Sequence, residues 1–480
     1  FSEAGPSFAT SQWIFANPDR YTRAFDTPSR FKRQEWTVIG EGTYEFDTMT
    51  LTALTQFKGR SADTRDNNAY LSNVFGNANL TLWDRLSGDD MSRFSQEVRV
   101  QNRDAGPWQW LLGAEMLTLK DTYFVDLNGA IKRARTNNSV NRTVSDDTSY
   151  GLFGLLGYDI TKQLNITGEL RQQRDRKKFQ LQSTTYTFPT GTSTTAQDTG
   201  PVTQSLLVQD YDRSFDATSA VAALSYKFTP TFNTYLRYAQ AARPGGFNND
   251  PDRNTATSNP AGPRFSIPYE QEKAKTNEIG IKTEWFNRAL RFNLAAYRSN
   301  IDNVLINGTV ATTPPGSSTS RNIVYIENGG TARMDGVEID TGAVLPLGPG
   351  RLLVDASANI TNTTILDGRL AGKDVPQTRP KQGSLSVTYE AAAFGLQRVF
   401  ANINTQVLRG GFQDGNNAIA MDKVNVVNLG LGVRAAKWYA SANVFNVGND
   451  TFITNYGSAA RLYGYVNRPR SWLVQGGLQF

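Results

Sequence analysis

A period of two constrains this chain more than any other feature. Apolar and polar residues alternate in one segment after another, and a sustained helical period of 3.6 is hard to find. In "EWTVIGEGTYEF" (35–46), Trp36, Val38, Gly40, Gly42, Tyr44 and Phe46 form one set. Glu35, Thr37, Glu41, Thr43 and Glu45 form the other, with Ile39 the exception. In "RFSQEVRVQ" (93–101), Phe94, Val98 and Val100 oppose Ser95, Glu97, Arg99 and Gln101. In "KTNEIGIKTEW" (275–285), Ile279, Ile281 and Trp285 oppose Glu278, Lys282 and Glu284. Successive residues of a strand point to opposite faces, so each segment reads as a strand with one oily and one wet side.

Roughly seventeen such segments can be marked, in keeping with the alternating ~10-residue strands of outer-membrane barrels. No run approaches the ~18 consecutive apolar residues of a membrane helix, which excludes a helical membrane protein and leaves a barrel open. The connections fall into two kinds that alternate along the chain. Short ones lie at 46–48, 104–107, 160–163, 229–231, 287–288, 348–350, 393–395 and 435–438. Long polar ones lie near 59–92, 121–148, 177–213, 248–268, 307–321, 363–379, 409–423 and 449–465. An antiparallel meander with tight turns on one rim and long loops on the other produces this order. The expected fold is therefore all-β: a transmembrane antiparallel barrel over residues 31–480.

Aromatic residues gather near strand ends, where two interfacial girdles belong: Trp36, Phe46, Tyr226, Phe228, Trp285, Trp438, Trp472 and the terminal Phe480. The plainer alternative is that aromatics simply favour strands. The chain has no cysteine and no histidine. Disulfides, thiolate metal sites and Ser/His hydrolysis are thereby excluded, and no catalytic or metal-ligating constellation stands out. The net charge of +6 suits anionic headgroups or an anionic solute. Its cations are mixed with acids and form no dense stripe, which argues against nucleic acid. "GLFGLLG" (151–157) falls within an alternating strand with no following helix, so it is no dinucleotide fingerprint.

"RYAQAARPGGFN" (237–248) resembles a stretch of the TonB-dependent outer-membrane receptors, siderophore receptors among them, with Ala241-Ala242 where many members carry Gly-Phe. Further matches follow in that family's order: 270–304, "NGGTARMDGVEID" (328–340), "SANVFNVGNDTF" (441–452) and "YGYVNRPRSWLVQGGLQF" (463–480). The resemblance covers about residues 33 to 480. It implies a barrel of the 22-stranded, plugged class. Members carry an N-terminal plug and an energy-coupling box ahead of the barrel, and neither is found in this sequence. Counting back from the last strand, the resemblance leads us to expect that the plug and about five strands lie outside this chain and that residues 1–30 are the end of an external loop. A complete smaller barrel, with one more strand hidden in residues 11–21, is the rival.

The alternation assigns Glu97, Arg99, Glu169, Arg171, Arg237, Glu278, Lys282, Arg291, Glu338, Asp340 and Arg434 to the lumen. In lipid, the cations among them would cost ~2–4 kcal/mol each near the midplane. They serve either as paired wall charges or as a substrate path. Solute capture is expected in the external loops, at Arg243 and Phe247 just past a strand end and at Tyr456 and Tyr463. Gly245 and Gly246 read as backbone hinges. Loop cations are suited to an anionic metal chelate or to lipopolysaccharide phosphates. Without histidine, axial ligation of haem by imidazole is unavailable. The resemblance implies an active importer at the bacterial outer membrane. Its solute would be scarce and bulky, a ferric siderophore or similar small-molecule or metal chelate. No cofactor is implied. Its partners would be membrane lipid, lipopolysaccharide and, through the plug, the TonB complex. A passive or structural barrel is the alternative, and an outer-membrane enzyme relying on Asp or Glu a remote third.

Overall fold

The computed structural model describes residues 30–67, 84–103, 106–126, 137–187, 202–248, 268–312, 321–456 and 464–479. Among them no residue is helical. The chain opens with eight strands: β1 (Arg30–Glu45), β2 (Met49–Asn67), β3 (Asp84–Asn102), β4 (Trp108–Asp126), β5 (Asn137–Asp159), β6 (Leu164–Thr187), β7 (Val202–Thr229) and β8 (Phe232–Arg243). A short ladder of β9 (Gly246–Phe247) with β10 (Pro268–Tyr269) precedes β11 (Glu272–Trp285) and β12 (Leu290–Asp302). A second ladder pairs β13 (Leu305–Thr312) with β14 (Arg321–Asn328). Then come β15 (Ala332–Leu347), β16 (Gly350–Ile365), β17 (Lys381–Ala393), β18 (Leu396–Arg409), β19 (Val424–Arg434) and β20 (Trp438–Phe445). The third small ladder, β21 (Ile453–Tyr456) with β22 (Gly464–Val466), leads into β23 (Ser471–Leu478).

Setting the three small ladders aside, the remaining strands form one 17-stranded antiparallel sheet, each paired with its neighbours in chain order. Tight turns and long connections alternate between its two rims. The turn between β17 and β18 puts Phe394 and Gly395 at φ 57° and 72°, the twist that a two-residue hairpin needs. The outer members of the sheet, β1 and β23, both run toward the tight-turn rim, and the described ladders give each a partner on one side only.

Residues opposite one another across an antiparallel pair share a face, so the register carries one face around the whole sheet. On the tight-turn side, one face is apolar for about five successive positions. Tyr226, Leu224, Ala222 and Ala220 follow one another on β7; Leu290, Phe292, Leu294 and Ala296 on β12; Leu352, Val354, Ala356, Ala358 and Ile360 on β16. Ten residues rising about 3.3 Å each and tilted about 40° span about 25 Å, the height of the lipid-facing band of a barrel. These side chains are not packed against protein: Leu152 is 67% exposed, Leu431 62% and Val474 78%. The buried apolar cluster lies instead beneath the long-loop rim, at Val304, Ile306, Ala332, Ile365 and Leu370. A water-soluble sandwich would bury its oily faces against each other, and this sheet does the opposite.

Beyond the band both faces turn polar, and the strands nevertheless continue. Much of 59–92, 121–148 and 177–213, read from sequence as loops, is ladder; β7 alone runs 28 residues. Backbone pairing does not depend on an oily face, and cross-strand ion pairs line these extensions. Arg60 meets Asp89 at 2.5 Å, and Arg176 holds Asp212 through two bonds of 2.5 and 3.0 Å. With both faces wet, the alternation that marks a strand vanishes from the sequence.

Candidate functional site

The opposite face is polar along its length and carries the charges. Following the register strand by strand puts Glu97, Arg99, Glu169, Arg171, Arg237, Glu278, Lys282, Arg291, Glu338, Asp340 and Arg434 all on this one face. Most are engaged locally. Arg99 donates to Glu97 at 2.9 Å, and Arg171 pairs with Glu115 while lying 5.8 Å from the Phe153 ring. Arg291 meets Asp340 at 3.2 Å, and Asn359 donates to Glu338 at 2.9 Å. The Tyr235 hydroxyl donates to Glu278 at 2.7 Å, and the Lys282 ammonium lies 5.6 Å from the Tyr235 ring. Arg434 reaches Gln479 at 3.4 Å. A cavity of about 480 Å³ opens on this face and takes its lining from Tyr235 on β8 to Gln406 on β18, so the sheet curls with the polar face concave here.

The apolar face carries the aromatics at two levels. Phe46, Tyr226, Phe228, Trp285 and Trp438 cluster at or near the tight turns, with Tyr226 and Phe228 edge-on at 4.7 Å. Trp36 and Trp472 occupy the far edge of the band, eight or more residues up their strands in the first case and at the start of β23 in the second. Phe480 lies outside the described residues.

At the long-loop rim the chain breaks off β8 through Arg243-Pro244-Gly245-Gly246 and folds inward. The two glycines make room for close packing, and neither has a positive φ. A Cβ on Gly245 would collide with the Tyr269 carbonyl and the Phe215 ring, and one on Gly246 with the Tyr269 phenol. Burial pushes that phenol above its ordinary pKa, against the opposing pull of the Arg243 guanidinium. The inward turn lays Phe247 on Tyr211, with ring centroids 5.3 Å apart and planes at 16°, and 6.3 Å from Phe179. Asn248, 5% exposed, then clips the loop to β14: its carbonyl accepts the Ile326 N–H at 2.8 Å and its amide donates to the Ile326 carbonyl at 2.8 Å. Arg213 binds both carboxylate oxygens of Glu270 at 2.8 Å and stacks over Phe215 at 5.0 Å.

Four rim segments therefore meet at one place: the turn after β8, the β13–β14 ladder, the 366–380 connection and the 410–423 connection. Gln377 stands at φ 59°, a left-handed conformation that its N–H bond to the Phe412 carbonyl at 2.6 Å holds in place. Arg369 pairs with Glu327 across two of the segments. Together they enclose a cavity of about 250 Å³ that Arg243 lines with Asn307, Gln377 and Gln413 over an apolar wall of Ile306 and Pro376. Of the residues singled out from sequence for solute capture, Arg243 and Phe247 are thus at the meeting point of these segments. Tyr463 and the side chain of Tyr456 lie outside the described residues. Asn307, Gln377 and Gln413 were missed, because isolated amides in polar loops carry no periodic signal.

Residues 3–447 match the family of TonB dependent receptor-like β-barrels. Among curated relatives, the catecholate siderophore receptor Fiu of Escherichia coli K12 is 24% identical over 250 residues, 51% of this chain and 31% of that one. The ferric yersiniabactin uptake receptor FyuA from Yersinia pestis superposes with a TM-score of 0.69 at 16% identity, covering 94% of this chain and 62% of that chain. The siderophore receptor PiuA from Acinetobacter baumannii does so at 0.66 and 15% identity, with coverage of 93% and 64%. The copper transporter OprC follows at 0.64 and 14%, with coverage of 94% and 66%. The chain thus spans about a third of the length of that curated relative and just under two thirds of these solved chains. At these identities the structural likeness is one of fold, and it agrees with the match along the sequence. With a single antiparallel sheet, an oily band on one face and, at the level of that band, charge on the other, this chain belongs to the TonB-dependent receptor family of outer-membrane β-barrels.

Proposed function

We propose that this chain forms the barrel wall of an outer-membrane receptor that actively imports a scarce, bulky solute, a ferric siderophore or similar metal chelate. The observation that carries this reading is the two-faced register: five positions of apolar side chains turned outward and eleven charged positions turned inward. Hydrocarbon outside and a wet lumen inside account for both, since a charge on the lipid face costs ~2–4 kcal/mol at the midplane and a lumen charge does not. The aromatics at the two edges of the band serve as interfacial anchors. Lipopolysaccharide packs against the polar strand extensions above the band.

The long-loop rim captures the solute, through Arg243 and the Phe247 aromatic stack. Energy comes from the inner membrane through TonB, acting on a plug that the barrel surrounds. The relatives whose names specify siderophores support this solute class, and the copper transporter among them widens it to other metals.

The test is growth of the source bacterium under iron limitation, with the gene deleted and restored, together with accumulation of radiolabelled ferric chelates. Restored uptake that collapses when the proton gradient is dissipated is the expected outcome. Uptake indifferent to the gradient, or a large steady single-channel conductance from the purified full-length protein, would turn the reading to a passive barrel.

A further inference from the structure

We propose that a row of cations on the outward face just above the apolar band is a binding site for a phosphorylated acyl-glycolipid, the lipid A part of lipopolysaccharide. The row is Lys381 on β17 and Arg409 on β18, with Lys423 just ahead of β19. The assignment rests on the outer-membrane wall proposed above and gives one place on it to one lipid.

The register brings the cations together. Ile360, outward at the top of the band on β16, lies opposite Lys381, and Lys381 lies opposite Arg409. Two like charges thus stand directly across an antiparallel pair, an arrangement that destabilises a sheet. Lys423 extends the row: it is exposed and immediately precedes Val424, the partner of Leu408. Among the described residues, no carboxylate lies within ion-pair distance of any of the three. Arg409 is held by neutral acceptors, the Val424 and Leu408 carbonyls at 2.8 and 2.9 Å and the Asn425 side-chain carbonyl at 2.5 Å. The carboxylate of Asp422, next to Lys423 in sequence, accepts the Ile453 N–H at 2.7 Å. The outward neighbours on β16, Asn362 and Thr364, carry no charge. Other outward arginines above the band do meet acids: Arg176 pairs with Asp212, and Arg298 and Arg333 share Asp335. A like-charged row without counter-charges calls for an anion from outside the chain.

The surroundings select the anion. Below the row the face is oily and open: Ile360 is 55% exposed and Ile403 42%. One outward position beneath the Lys381–Arg409 pair, the register sets Ala358, Gly383 and Val407 side by side. Gly383 presents no side chain there, which leaves a shallow furrow for an acyl chain between Ala358 and Val407. An anion that carries such chains is a lipid. Three cations across two inter-strand gaps extend over about 10 Å, more than one phosphate covers. A glycolipid with two phosphates matches that width better than a phospholipid with one.

The experiment uses the full-length protein, delipidated in detergent. It is titrated with bis-phosphorylated lipid A, its dephosphorylated form and phosphatidylglycerol, with inorganic phosphate as competitor. Bound lipid is counted by native mass spectrometry, and the melting temperature is followed in parallel. Wild type is expected to bind bis-phosphorylated lipid A most tightly. Lys381→Glu should weaken it about 10- to 100-fold, the range for losing a charge-assisted contact, and Lys423→Gln by a smaller factor. Without lipid, Lys381→Glu should melt higher than wild type, because an ion pair with Arg409 replaces the repulsion. Lipid A should raise the melting temperature of wild type more than that of the variant. The double change Arg174→Gln with Arg176→Gln, outward on β6, should leave the affinity within about twofold. Unchanged lipid A affinity in Lys381→Glu overturns the site, as does an equal loss in the β6 variant. A preference for phosphatidylglycerol, or displacement of lipid A by inorganic phosphate, overturns it too. Each of these leaves the receptor reading standing, because solute capture does not involve this row. Failure of wild type to insert into phospholipid vesicles overturns the wall and the site together.

Discussion

Leu236 sits at the centre of the apolar band. On β8 the outward positions are Phe232, Thr234, Leu236, Tyr238 and Gln240, and Leu236 is 53% exposed. Its register partners are Leu224 on β7 and Ile279 on β11, so three neighbouring strands present aliphatic side chains at one level. If this level is mid-membrane, Leu236→Arg costs about 2–4 kcal/mol, a 30- to 700-fold fall in the folding equilibrium at about 1.4 kcal/mol per decade. The cost depends on depth. Gln240→Arg, two outward positions toward the long-loop rim, costs about 0–1 kcal/mol. It also depends on face: Arg237, the next residue along, points the other way, so Arg237→Gln leaves stability within about 0.5 kcal/mol. The assay is urea-titrated folding of the full-length protein into phospholipid vesicles, followed by fluorescence of its tryptophans. Leu236→Arg within about 0.5 kcal/mol of wild type, as expected for an exposed leucine in water, would refute the lipid-facing assignment. So would equal costs at 236 and 240.

Three further outcomes concern the rim and the inner wall. Gly245→Ala forces a Cβ into the Tyr269 carbonyl and Phe215, which should destabilise the inward turn by about 1–3 kcal/mol; faster protease cleavage between 243 and 270 would report it. Asn248→Ala removes both bonds to Ile326, and hydrogen exchange at the Ile326 amide should accelerate about 30- to 100-fold, for a local loss of about 2–3 kcal/mol. Glu390, 8% exposed, lies between Arg351, whose Nε reaches it at 2.7 Å, and Arg398. Glu390→Gln leaves two guanidinium groups facing one another and should cost about 1–3 kcal/mol in the vesicle assay, discounted because both arginines are half exposed.

The sheet was legible in the sequence wherever one side met an oily medium. Trp36, Val38, Tyr44 and Phe46 against Glu35, Thr37, Glu41 and Thr43 needed no coordinates to be read as two faces. Tight turns and long connections could be told apart for the same reason, because the alternation stops where the oily medium does. It also stops too early: in β6, Ile166 and Leu170 give way to Gln172, Arg174 and Arg176 on the same face, and the strand continues as ladder in water. Arg243 and Phe247 stood out through the Pro-Gly-Gly break beside them. What that break does was not visible, because the reason for Gly245 and Gly246 lies in Phe215 and Tyr269, remote in sequence. Gln377 and Gln413 reach a common cavity only through the packing of separate loops, and nothing local marks them.

These 480 residues lack cysteine, so single cysteines can be introduced one at a time along β8 and spin-labelled in the full-length protein, with any cysteine outside them replaced by serine, reconstituted in vesicles. Collision rates with oxygen, which concentrates in lipid, and with a water-soluble nickel complex should alternate with a period of two from residue 233 to 238. Labels at 234, 236 and 238 would meet oxygen, and labels at 233, 235 and 237 would meet nickel. Nickel access on both sets, or no alternation at all, would contradict a wall between lipid and a wet lumen.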